Sequence, residues 1–518
     1  MSTAGNDFVP TSAFLSDLVW RGLVHQSTGL EALDKHLAGG TRKAYVGFDP
    51  TAPSLTIGNL VGIVTLVRFA LAGHTPVVVV GGATGLIGDP SGKSAERTLN
   101  TPETVAENVK GQTRIYHSVW RNASALTGKG LGEPPIRNNY DWFKSISFLD
   151  ALRDIGKHFS VNMMIQKESV KERLTNRDQG ISYTEFSYML LQAYDYRHLF
   201  ESEGVTLQMG GSDQFGNIVC GIDLISRSVA DARRRAMLKM VDLAVASSKP
   251  EHQKIGIAMK RLLDDVAVDD IARLEAGLDL VKLADSELGQ QGKNTFREWS
   301  NCNQLQHDRP FFGLTWPLVT KADGGKFGKT ESGAIWLTAD RTSAYAFYQF
   351  WLNAADADVV RFLKVFTLLP REEIERLERQ HEENPGAREA HRALARHMTE
   401  LLHGREAMEL AERAAKALFS GEVAGLPAET LEEALAGAPS SEHERGVLEA
   451  GLPVLEALVL TGLAGSKREA REFLGNGSVS VNGAKAGPED RLTVASLLHG
   501  RFVALRRGKK NWHLMRMK

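Results

Sequence analysis

Three polar residues near the middle of the chain are spaced so that they could contact one ligand. Tyr188, Gln192 and Asp195 lie four and three positions apart in a segment with helical periodicity, Ser182 to Phe200, so they share one face of a helix. A phenol, an amide and a carboxylate are costly to bury without partners, so this face must meet either water or a polar ligand. From spacing alone, a solvent-facing stripe is the simpler interpretation.

Two lysines in a glycine-rich turn could bind a polyanion. Lys326 and Lys329 lie three positions apart within KADGGKFGKT, residues 321–330. Two cations on one loop can reach the same phosphate groups from one side, and the glycines around them let the loop move. The turn therefore indicates a phosphate ligand.

A strand, a turn and a helix near the N-terminus form a second candidate for phosphate binding. Residues 44–60 read AYVGFDPTAPSLTIGNL, an apolar run, then Asp49-Pro50-Thr51, then Ile57 at the start of a helical pattern. Such a unit directs free backbone N–H groups and the positive end of a helix dipole toward the carboxyl edge of a sheet. Similar units are common without a ligand, so this pattern alone is weak.

Two further glycine-rich loops each carry an aspartate. Asp89 lies in the loop from Gly81 to Lys93 and offers a negative charge suited to an ammonium group. Asp213 lies in QMGGSDQFGN, residues 208–217, where one carboxylate could accept hydrogen bonds from both hydroxyls of a ribose. Taken alone, each aspartate could equally cap a turn or a helix.

One protein family contains five of these segments in the same order: GFDPTAPSL, GGATGLIGDPSGK, YMLLQAYDY, GGSDQFGN and KADGGKFGKT. The residues 44–60 and 326–330 resemble the two signatures of class I aminoacyl-tRNA synthetases. The whole set is similar to bacterial-type tyrosyl-tRNA synthetases over most of the chain. The resemblance implies ligation of L-tyrosine to tRNA(Tyr) through a tyrosyl-adenylate, with ATP and Mg²⁺ as reactants and release of AMP and pyrophosphate. It also implies a homodimer.

The resemblance assigns roles to individual residues. The residues that it implies for tyrosine binding are Tyr45, Asp89, Tyr188, Gln192, Asp195, Gln208 and Gln214. Those implied for ATP binding are Gly58, Asn59, Gly211, Asp213 and Lys329. Those implied for the activation step are Thr51, Thr56, Asn59, Lys93, Arg97, Lys326 and Lys329. Within this set, Asp195 and Tyr45 contact the phenol of the substrate.

The chain departs from the family at two positions of the first signature. Thr56 and Asn59 stand where the signature most often has two histidines. Asn59 can still donate a hydrogen bond, whereas Thr56 has a shorter reach and no positive charge. Two alternatives therefore stay open: a structured-RNA-binding protein that retains the synthetase fold, and a tryptophanyl-tRNA synthetase of the same fold.

Strands and helices alternate from Tyr45 onward, which predicts an α/β fold with a Rossmann-like, doubly wound parallel sheet. We expect residues 1–330 to form the class I catalytic domain. A long amphipathic helical segment, at about 228–309, interrupts the family pattern and is interpreted as a packed insertion. Helical patterns continue over 331–435, and the resemblance assigns these residues to anticodon recognition.

The C-terminal part is predicted to be a separate RNA-binding module. Residues 436–450 are rich in Gly, Pro and Ser and read as a linker. Residues 451–518 resemble the small α+β RNA-binding fold of ribosomal small-subunit protein four. Cations clustered near Trp512 could contact phosphate, and the aromatic ring could stack on RNA. These cations are Lys467, Arg468, Arg471, Arg506, Lys509 and Lys510.

Composition limits the remaining possibilities. A chain of 518 residues is too long for one core, so about two to four domains are expected. The net charge of −1 means that RNA contacts must rest on local basic patches. Two cysteines, no N-terminal leader and no long apolar run predict a cytoplasmic protein without membrane association. His158 has no partner cluster at metal-ligand spacing, and two cysteines do not make a zinc site, so no structural metal is expected.

Overall fold

The structure is a computed structural model that describes residues 8–89, 99–167, 170–171, 181–264, 270–307, 310–325, 327–330 and 333–518. The chain divides into two compact units. The first comprises residues 1–53, 61–113 and 134–319, and the second comprises residues 54–60, 114–133 and 320–518. Lys93, Arg97 and Lys326, which the sequence analysis assigns to the activation step, lie outside the described residues.

A six-stranded sheet forms the centre of the first unit. Its strands are β1 (Gln26–Ser27), β2 (Lys43–Phe48), β3 (Thr75–Val80), β4 (Ile136–Asn138), β5 (Leu207–Gly211) and β6 (Phe312–Trp316), in the order β1-β6-β5-β2-β3-β4. All neighbours are parallel except β1 and β6. Val77 to Val80 are buried, as expected for a central strand covered on both faces. The predicted α/β fold with a doubly wound sheet is confirmed.

Helices connect and cover these strands. Those in the first 319 residues are Ala13–Trp20, Leu30–Ala38, Leu60–Leu71, Thr84–Ile87, Pro102–Thr127, Tyr140–Phe143, Phe148–Asp150, Val161–Ile165, Tyr183–Glu203, Phe215–Val245, Pro250–Asp264, Asp270–Ser286 and Gly289–His307. The helix Tyr183–Glu203, which carries the predicted polar face, begins where the Ser182 hydroxyl accepts a hydrogen bond from the Glu185 N–H at 3.2 Å. It ends at Gly204, whose φ of 69° suits glycine.

The last four of these helices contain the predicted insertion. They bury an apolar cluster of their own, which includes Met240, Val241, Met259, Leu280 and Ala284. An amphipathic helical segment that encloses its own core contributes packing rather than polar chemistry.

The second unit is mostly helical and ends in a small sheet. Its helices from residue 320 onward are Ala344–Leu352, Asp356–Phe366, Arg371–Glu383, Glu389–His403, Arg405–Ser420, Ala428–Ala434, Gly446–Glu449, Val454–Leu460 and Lys467–Gly475. Its strands are β7 (Lys329–Thr330), β8 (Gly333–Ala334), β9 (Ser440–His443), β10 (Leu452–Pro453), β11 (Val479–Val481), β12 (Ala484–Lys485), β13 (Arg491–Leu492), β14 (Phe502–Arg507) and β15 (Asn511–Met517). Five of them form a sheet in the order β12-β11-β14-β15-β9.

Part of the segment 436–450 is a strand and not a linker. Strand β9 pairs in parallel with β15, with Ser440 opposite Leu514 and His443 opposite Met517. Local composition suggested a linker because β9 is short and polar, and its backbone partners lie about seventy positions away.

None of the helices in the described part of the chain combines the length and apolar composition that a bilayer crossing requires.

Candidate active site

Asp195 is a buried carboxyl in the helix Tyr183–Glu203, and it is 4% exposed. Its Oδ2 accepts a hydrogen bond from Nδ2 of Asn139 at 3.0 Å, and its Oδ1 accepts one from Nε1 of Trp142 at 2.8 Å. Burial raises the pKa of Asp195 to about 8, although the two hydrogen bonds act in the opposite direction. Two donors thus fix both carboxyl oxygens of a residue that the sequence analysis assigns to the phenol.

Tyr45 in β2 presents a buried hydroxyl that has no hydrogen-bond partner among the described residues. Burial raises its pKa well above the usual range, and the nearby Asp195 charge adds to this effect. Gln208 in β5 lies opposite Tyr45 in the sheet register, and its Oε1 is also buried without a partner in the described part of the chain. Each such orphan costs about 1–3 kcal/mol. A ligand with polar atoms at these positions would remove that cost.

A hydrogen-bonded chain runs across the carboxyl ends of three neighbouring parallel strands. The hydroxyl of Tyr188 donates to Oδ2 of Asp49 at 2.8 Å, and that of Thr84 donates to Oδ1 at 2.7 Å. Nδ2 of Asn139 donates to Oγ1 of Thr84 at 3.1 Å. Because Asp49, Thr84 and Asn139 follow β2, β3 and β4, the site lies where ligands bind in open α/β sheets.

Gly81 makes this chain possible. A Cβ at this position would lie 2.2 Å from Oγ1 of Thr84 and 2.4 Å from Oδ1 of Asp49. Any side chain would therefore displace the two groups that join Tyr188 to Asn139. Gly81 thus makes room for groups of the protein.

A second polar cluster brings together four of the predicted residues. Nε2 of Gln214 donates to Oδ2 of Asp89 at 2.7 Å and to Oδ2 of Asp213 at 3.1 Å. Nδ2 of Asn217 donates to Oε1 of Gln192 at 3.0 Å, and it lies 3.4 Å from Oε1 of Gln214. The carboxylates of Asp89 and Asp213 thus share one amide donor.

Five residues that complete these networks were not predicted as site residues. Three of them follow strands, and the other two lie in the helices Tyr140–Phe143 and Phe215–Val245. The missed residues are Asp49, Thr84, Asn139, Trp142 and Asn217. A polar residue directly after a buried parallel strand is the one sequence signal that could have identified Asp49.

The substituted first signature forms a closed local turn. Oδ1 of Asn59 accepts hydrogen bonds from the backbone N–H and the hydroxyl of Thr56, both at 3.1 Å. This capping arrangement starts the short helical turn Ile57–Asn59. It uses the carbonyl oxygen of Asn59 and leaves the amide hydrogens as donors for a ligand. Gly58 and, in the turn after β2, Thr51 are exposed.

The two signatures are joined by backbone hydrogen bonds within the second unit. The N–H of Ile57 donates to the carbonyl of Ile335 at 2.9 Å, and the N–H of Ile335 donates to the carbonyl of Gly328 at 3.1 Å. Phe327 anchors the same loop, because its ring lies 5.1 Å from both Phe362 and Phe366. The structure therefore connects segments that are about 270 positions apart in sequence.

Lys329 lies directly beyond this anchor, in the hairpin formed by β7 and β8. Its backbone is paired with Ala334. The predicted ATP-binding Gly211 lies in the first unit, at the end of β5.

The C-terminal cations fall into two groups. Arg468, Arg471, Lys509 and Lys510 are exposed, as is Lys467, whose Nζ donates to Glu456 at 2.7 Å. The Arg506 guanidinium instead lies 5.1 Å from the centre of the Trp512 ring, and it donates to the Ser420 carbonyl at 3.4 Å.

The prediction that Trp512 stacks on RNA is wrong, because its ring is buried. Its side chain shares an apolar cluster with Phe502 and with residues of the preceding helices, among them Ala417 and Leu431. Sequence alone could not identify these partners, because they belong to a segment that had been assigned to another domain.

Comparisons with known proteins agree with this geometry. The family model for class I tRNA synthetases (W and Y) matches residues 38–257 and 291–420, and the model for the SYY-like C-terminal domain of tyrosine–tRNA ligase matches residues 430–515. The chain is therefore a class I aminoacyl-tRNA synthetase. The unmatched residues 258–290 lie within the predicted helical insertion.

Curated relatives narrow the class to one family. The chain is 44% identical over 504 residues to tyrosine–tRNA ligase of Bacillus caldotenax and 43% identical over 509 residues to that of Dechloromonas aromatica, each match covering 97% of this chain and 99% of the relative. The chain belongs to the tyrosine–tRNA ligase family. The resemblance stated from sequence is confirmed, and the two alternative functions are not favoured.

Solved structures support the same assignment. A C-terminally truncated mitochondrial tyrosyl-tRNA synthetase of Aspergillus nidulans matches with a TM-score of 0.58 and 27% identity, covering 78% of this chain and 94% of that one. The corresponding protein of Coccidioides posadasii matches with a TM-score of 0.55 and 28% identity, covering 77% of this chain and 91% of that one.

The buried Asp195 carboxyl should make stability depend on pH. Its pKa is raised from 3.8 to about 8, so the native state keeps a proton that the unfolded chain releases. The free energy of unfolding should therefore fall as pH rises from about 4 to about 8, by about 1.4 kcal/mol per pH unit from this group. Urea unfolding of the wild type and of Asp195→Asn measures this effect. The stability difference between the two should decline over that window; parallel pH profiles would contradict the prediction.

Alanine at Gly328 should slow amino-acid activation more than alanine at Gly324. Both glycines have a φ of 79°, so both variants carry similar backbone strain. A Cβ at Gly328 would lie 2.5 Å from Cγ2 of Ile57, whereas a Cβ at Gly324 has no atom within 4 Å. We expect pyrophosphate exchange to be about tenfold slower in Gly328→Ala than in Gly324→Ala, equivalent to about 1.4 kcal/mol. Equal rates would show that the contact with the first signature is unimportant.

Proposed function

We propose that this enzyme activates L-tyrosine with ATP and transfers the tyrosyl group to tRNA(Tyr) through the residues described above. The observation that carries the proposal is the pair of buried polar groups in the first unit, Tyr45 and Asp195, which lie close enough for the Asp195 charge to raise the pKa of Tyr45. A phenol hydroxyl is both donor and acceptor, so it can satisfy the Tyr45 hydroxyl and the Asp195 carboxyl together. Phenylalanine would leave both groups unpaired.

The other end of the substrate has its own partners in the proposal. Asp89 supplies a negative charge and Gln192 a carbonyl oxygen for the α-ammonium group, with Tyr188 beside them. Gln214 holds Asp89 in place through the 2.7 Å hydrogen bond. Gln208, which lies opposite Tyr45 in the sheet, contributes a buried acceptor.

Activation proceeds by displacement at phosphorus. A carboxylate oxygen of tyrosine attacks the α-phosphorus of ATP, the bond to the bridging oxygen breaks, and pyrophosphate leaves with the electron pair. A ribose hydroxyl at the tRNA terminus then attacks the carbonyl carbon of the adenylate and releases AMP. Neither step needs a protein nucleophile, so positioning and charge stabilisation supply the catalysis.

The nucleotide is bound by the glycine-rich loop 208–217 and by the first signature in this proposal. Asp213, with Gly211 beside it, receives the ribose, and Asn59, with Gly58 beside it, donates to the nucleotide. Cations then stabilise the charge that develops on the phosphates, and Mg²⁺ arrives with ATP as part of that substrate. The groups assigned to the phosphates are Lys93, Arg97, Lys326, Lys329, Thr51 and Thr56.

Aminoacylation of a bacterial tRNA pool with each of the three aromatic amino acids tests the proposed substrate. Tyrosine alone should support charging, and the charged tRNA should be tRNA(Tyr). Charging with tryptophan would identify the other enzyme of this fold. Binding of tRNA without charging by any amino acid would favour an RNA-binding role.

The proposal includes a homodimer, supported by an exposed apolar patch in the first unit. Phe148, Leu149 and Tyr183 are each more than half exposed, and Phe148 and Tyr183 line the same groove. Exposed large apolar side chains that lie together are typical of an interface. Leu149→Glu should convert the dimer to a monomer in sedimentation. Phe419→Glu, at an even more exposed position in the second unit, should not.

Exposed C-terminal cations are proposed to contact tRNA. Replacing Arg468 and Arg471 by glutamine should weaken tRNA binding and lower the slope of log affinity against log salt by about one for each lost phosphate contact. Filter binding at several salt concentrations measures both quantities, with the exposed Lys110→Gln as the control. An unchanged slope would show that these residues do not contact tRNA.

The proposed reaction requires both tRNA and ATP, so we place the enzyme in the cytoplasm.

A further inference from the structure

A buried carboxylate in the second unit is bonded to the segment that leads into the second signature. Asp358 lies in the first turn of the helix Asp356–Phe366 and is 3% exposed. The backbone N–H of Ala322 donates to it, with the nitrogen 3.0 Å from Oδ1 and 3.2 Å from Oδ2. Because the acceptor is a carboxylate, this is a strong hydrogen bond, and it fixes the segment against the helix.

Arg361 extends this anchor from the same helix. Its Nη2 donates to Oδ1 of Asp358 at 2.7 Å and also to the carbonyl oxygen of Thr320. The guanidinium therefore joins the carboxylate to the residue two positions before Ala322. One acid and one base on the helix thus hold an N–H and a carbonyl of the same short segment.

The anchored segment is a closed turn. The N–H of Lys321 donates to the carbonyl of Gly325 at 3.0 Å, and the N–H of Gly324 donates to the carbonyl of Lys321 at 3.0 Å. The Gly325 N–H donates to Oδ1 of Asp323 at 2.7 Å. These bonds hold residues 321–325 in one conformation, so a support at the second residue of the turn sets the direction in which the chain leaves it.

The same face of the helix supports the chain beyond the turn. Phe362 and Phe366 follow Asp358 at intervals of four positions, so the three side chains share one helical face. Both phenyl rings lie 5.1 Å from the ring of Phe327. This face therefore holds the chain at the turn and again at Phe327, two positions before Lys329.

We propose that Asp358 is a positioning residue for tyrosine activation, an inference that rests on the proposed function. Through the turn 321–325 it sets the place from which Lys329 reaches the phosphates of ATP. A displacement of about 1 Å in a group that acts in the transition state can lower the rate by about 100-fold. The residues assigned to tyrosine belong to the first unit, so loss of Asp358 should lower the activation rate without changing tyrosine affinity.

Presteady-state formation of tyrosyl-adenylate by the full chain, with tyrosine affinity from equilibrium dialysis, tests the proposal. We expect Asp358→Ala to form the adenylate about tenfold more slowly than the wild type, with unchanged tyrosine affinity. Asp358→Asn keeps one acceptor oxygen for the Ala322 N–H, so its rate should lie between the two. Lys364→Gln removes an ion pair with Glu378 from the same helix and should react at the wild-type rate.

The Lys329→Ala background separates positioning from a general effect on the fold. If Asp358 acts through Lys329, adding Asp358→Ala to Lys329→Ala should slow activation no further. Arg361→Gln loosens the same anchor and keeps the buried carboxylate, so it provides a second test if Asp358→Ala does not fold. It should slow activation in the wild-type background and not in the Lys329→Ala background.

Two results would overturn the proposal. A further tenfold loss in the Lys329→Ala background would show that Asp358 acts on the fold in general. Wild-type rates in both Asp358→Ala and Arg361→Gln would show that the anchor is unimportant for activation. Failure of the proposed function itself looks different, because the wild type would then form no tyrosyl-adenylate.

Discussion

Replacing Asp195 with asparagine is expected to lower kcat/KM for tyrosine by about 100-fold. Both oxygens of the carboxyl accept hydrogen bonds, from Asn139 and Trp142. An asparagine has one acceptor oxygen, so its amide hydrogens must face one of these donors, and the phenol loses a partner as well. Only the cost that arises when the substrate binds lowers kcat/KM. A phenol hydroxyl left unpaired in the complex costs up to about 3 kcal/mol, which corresponds to about 100-fold. Steady-state pyrophosphate exchange with varied tyrosine measures the loss.

Tyr45→Phe is the matched control for this variant. It removes one hydroxyl that has no hydrogen-bond partner among the described residues, so it should cost less, about tenfold, and only in the presence of substrate. Relative use of phenylalanine should rise in Tyr45→Phe because one unsatisfied group has gone. Equal tyrosine kinetics in the wild type and in both variants would show that the phenol lies elsewhere.

Loss of the Lys329 ammonium group should lower the rate of tyrosine activation by about 10²- to 10³-fold with little change in tyrosine affinity. In the proposed reaction this lysine meets charge that develops on the phosphates only in the transition state, and removing one such donor typically has this effect. Presteady-state formation of tyrosyl-adenylate by Lys329→Ala gives the rate, and equilibrium dialysis gives the affinity.

Lys321→Ala is the control for this experiment, since it removes a cation from the same loop but outside the signature. It should activate tyrosine at nearly the wild-type rate. A Lys329→Ala enzyme with weakened tyrosine binding and a normal activation rate would contradict the assigned role.

The polar face of the helix Tyr183–Glu203 shows how far sequence reasoning reaches. The spacing of Tyr188, Gln192 and Asp195 predicted that they share a face, because helical periodicity is local. The residues that contact that face are distant in sequence. Tyr188 bonds to Asp49, which is 139 positions away, and Asp195 bonds to Asn139, which is 56 positions away.

The resemblance to a family predicted which substrate groups this face binds. The structure identified the residues that hold the face in place. The hydrogen bonds of Asn139 and Trp142 to Asp195 could not be predicted from sequence, because a polar side chain after a short strand has many possible partners. Strand β9 and the buried Trp512 were missed for the same reason, since each is stabilised by residues from a distant part of the chain. Contacts of this kind follow from tertiary packing and leave little trace in local composition.

Pyrophosphate exchange into ATP, measured without tRNA and with each aromatic amino acid in turn, tests the central claim most directly. The account predicts exchange that depends on tyrosine, despite Thr56 and Asn59 in the first signature, and no comparable exchange with phenylalanine or tryptophan. Complete absence of tyrosine-dependent exchange in a folded, tRNA-binding protein would contradict it.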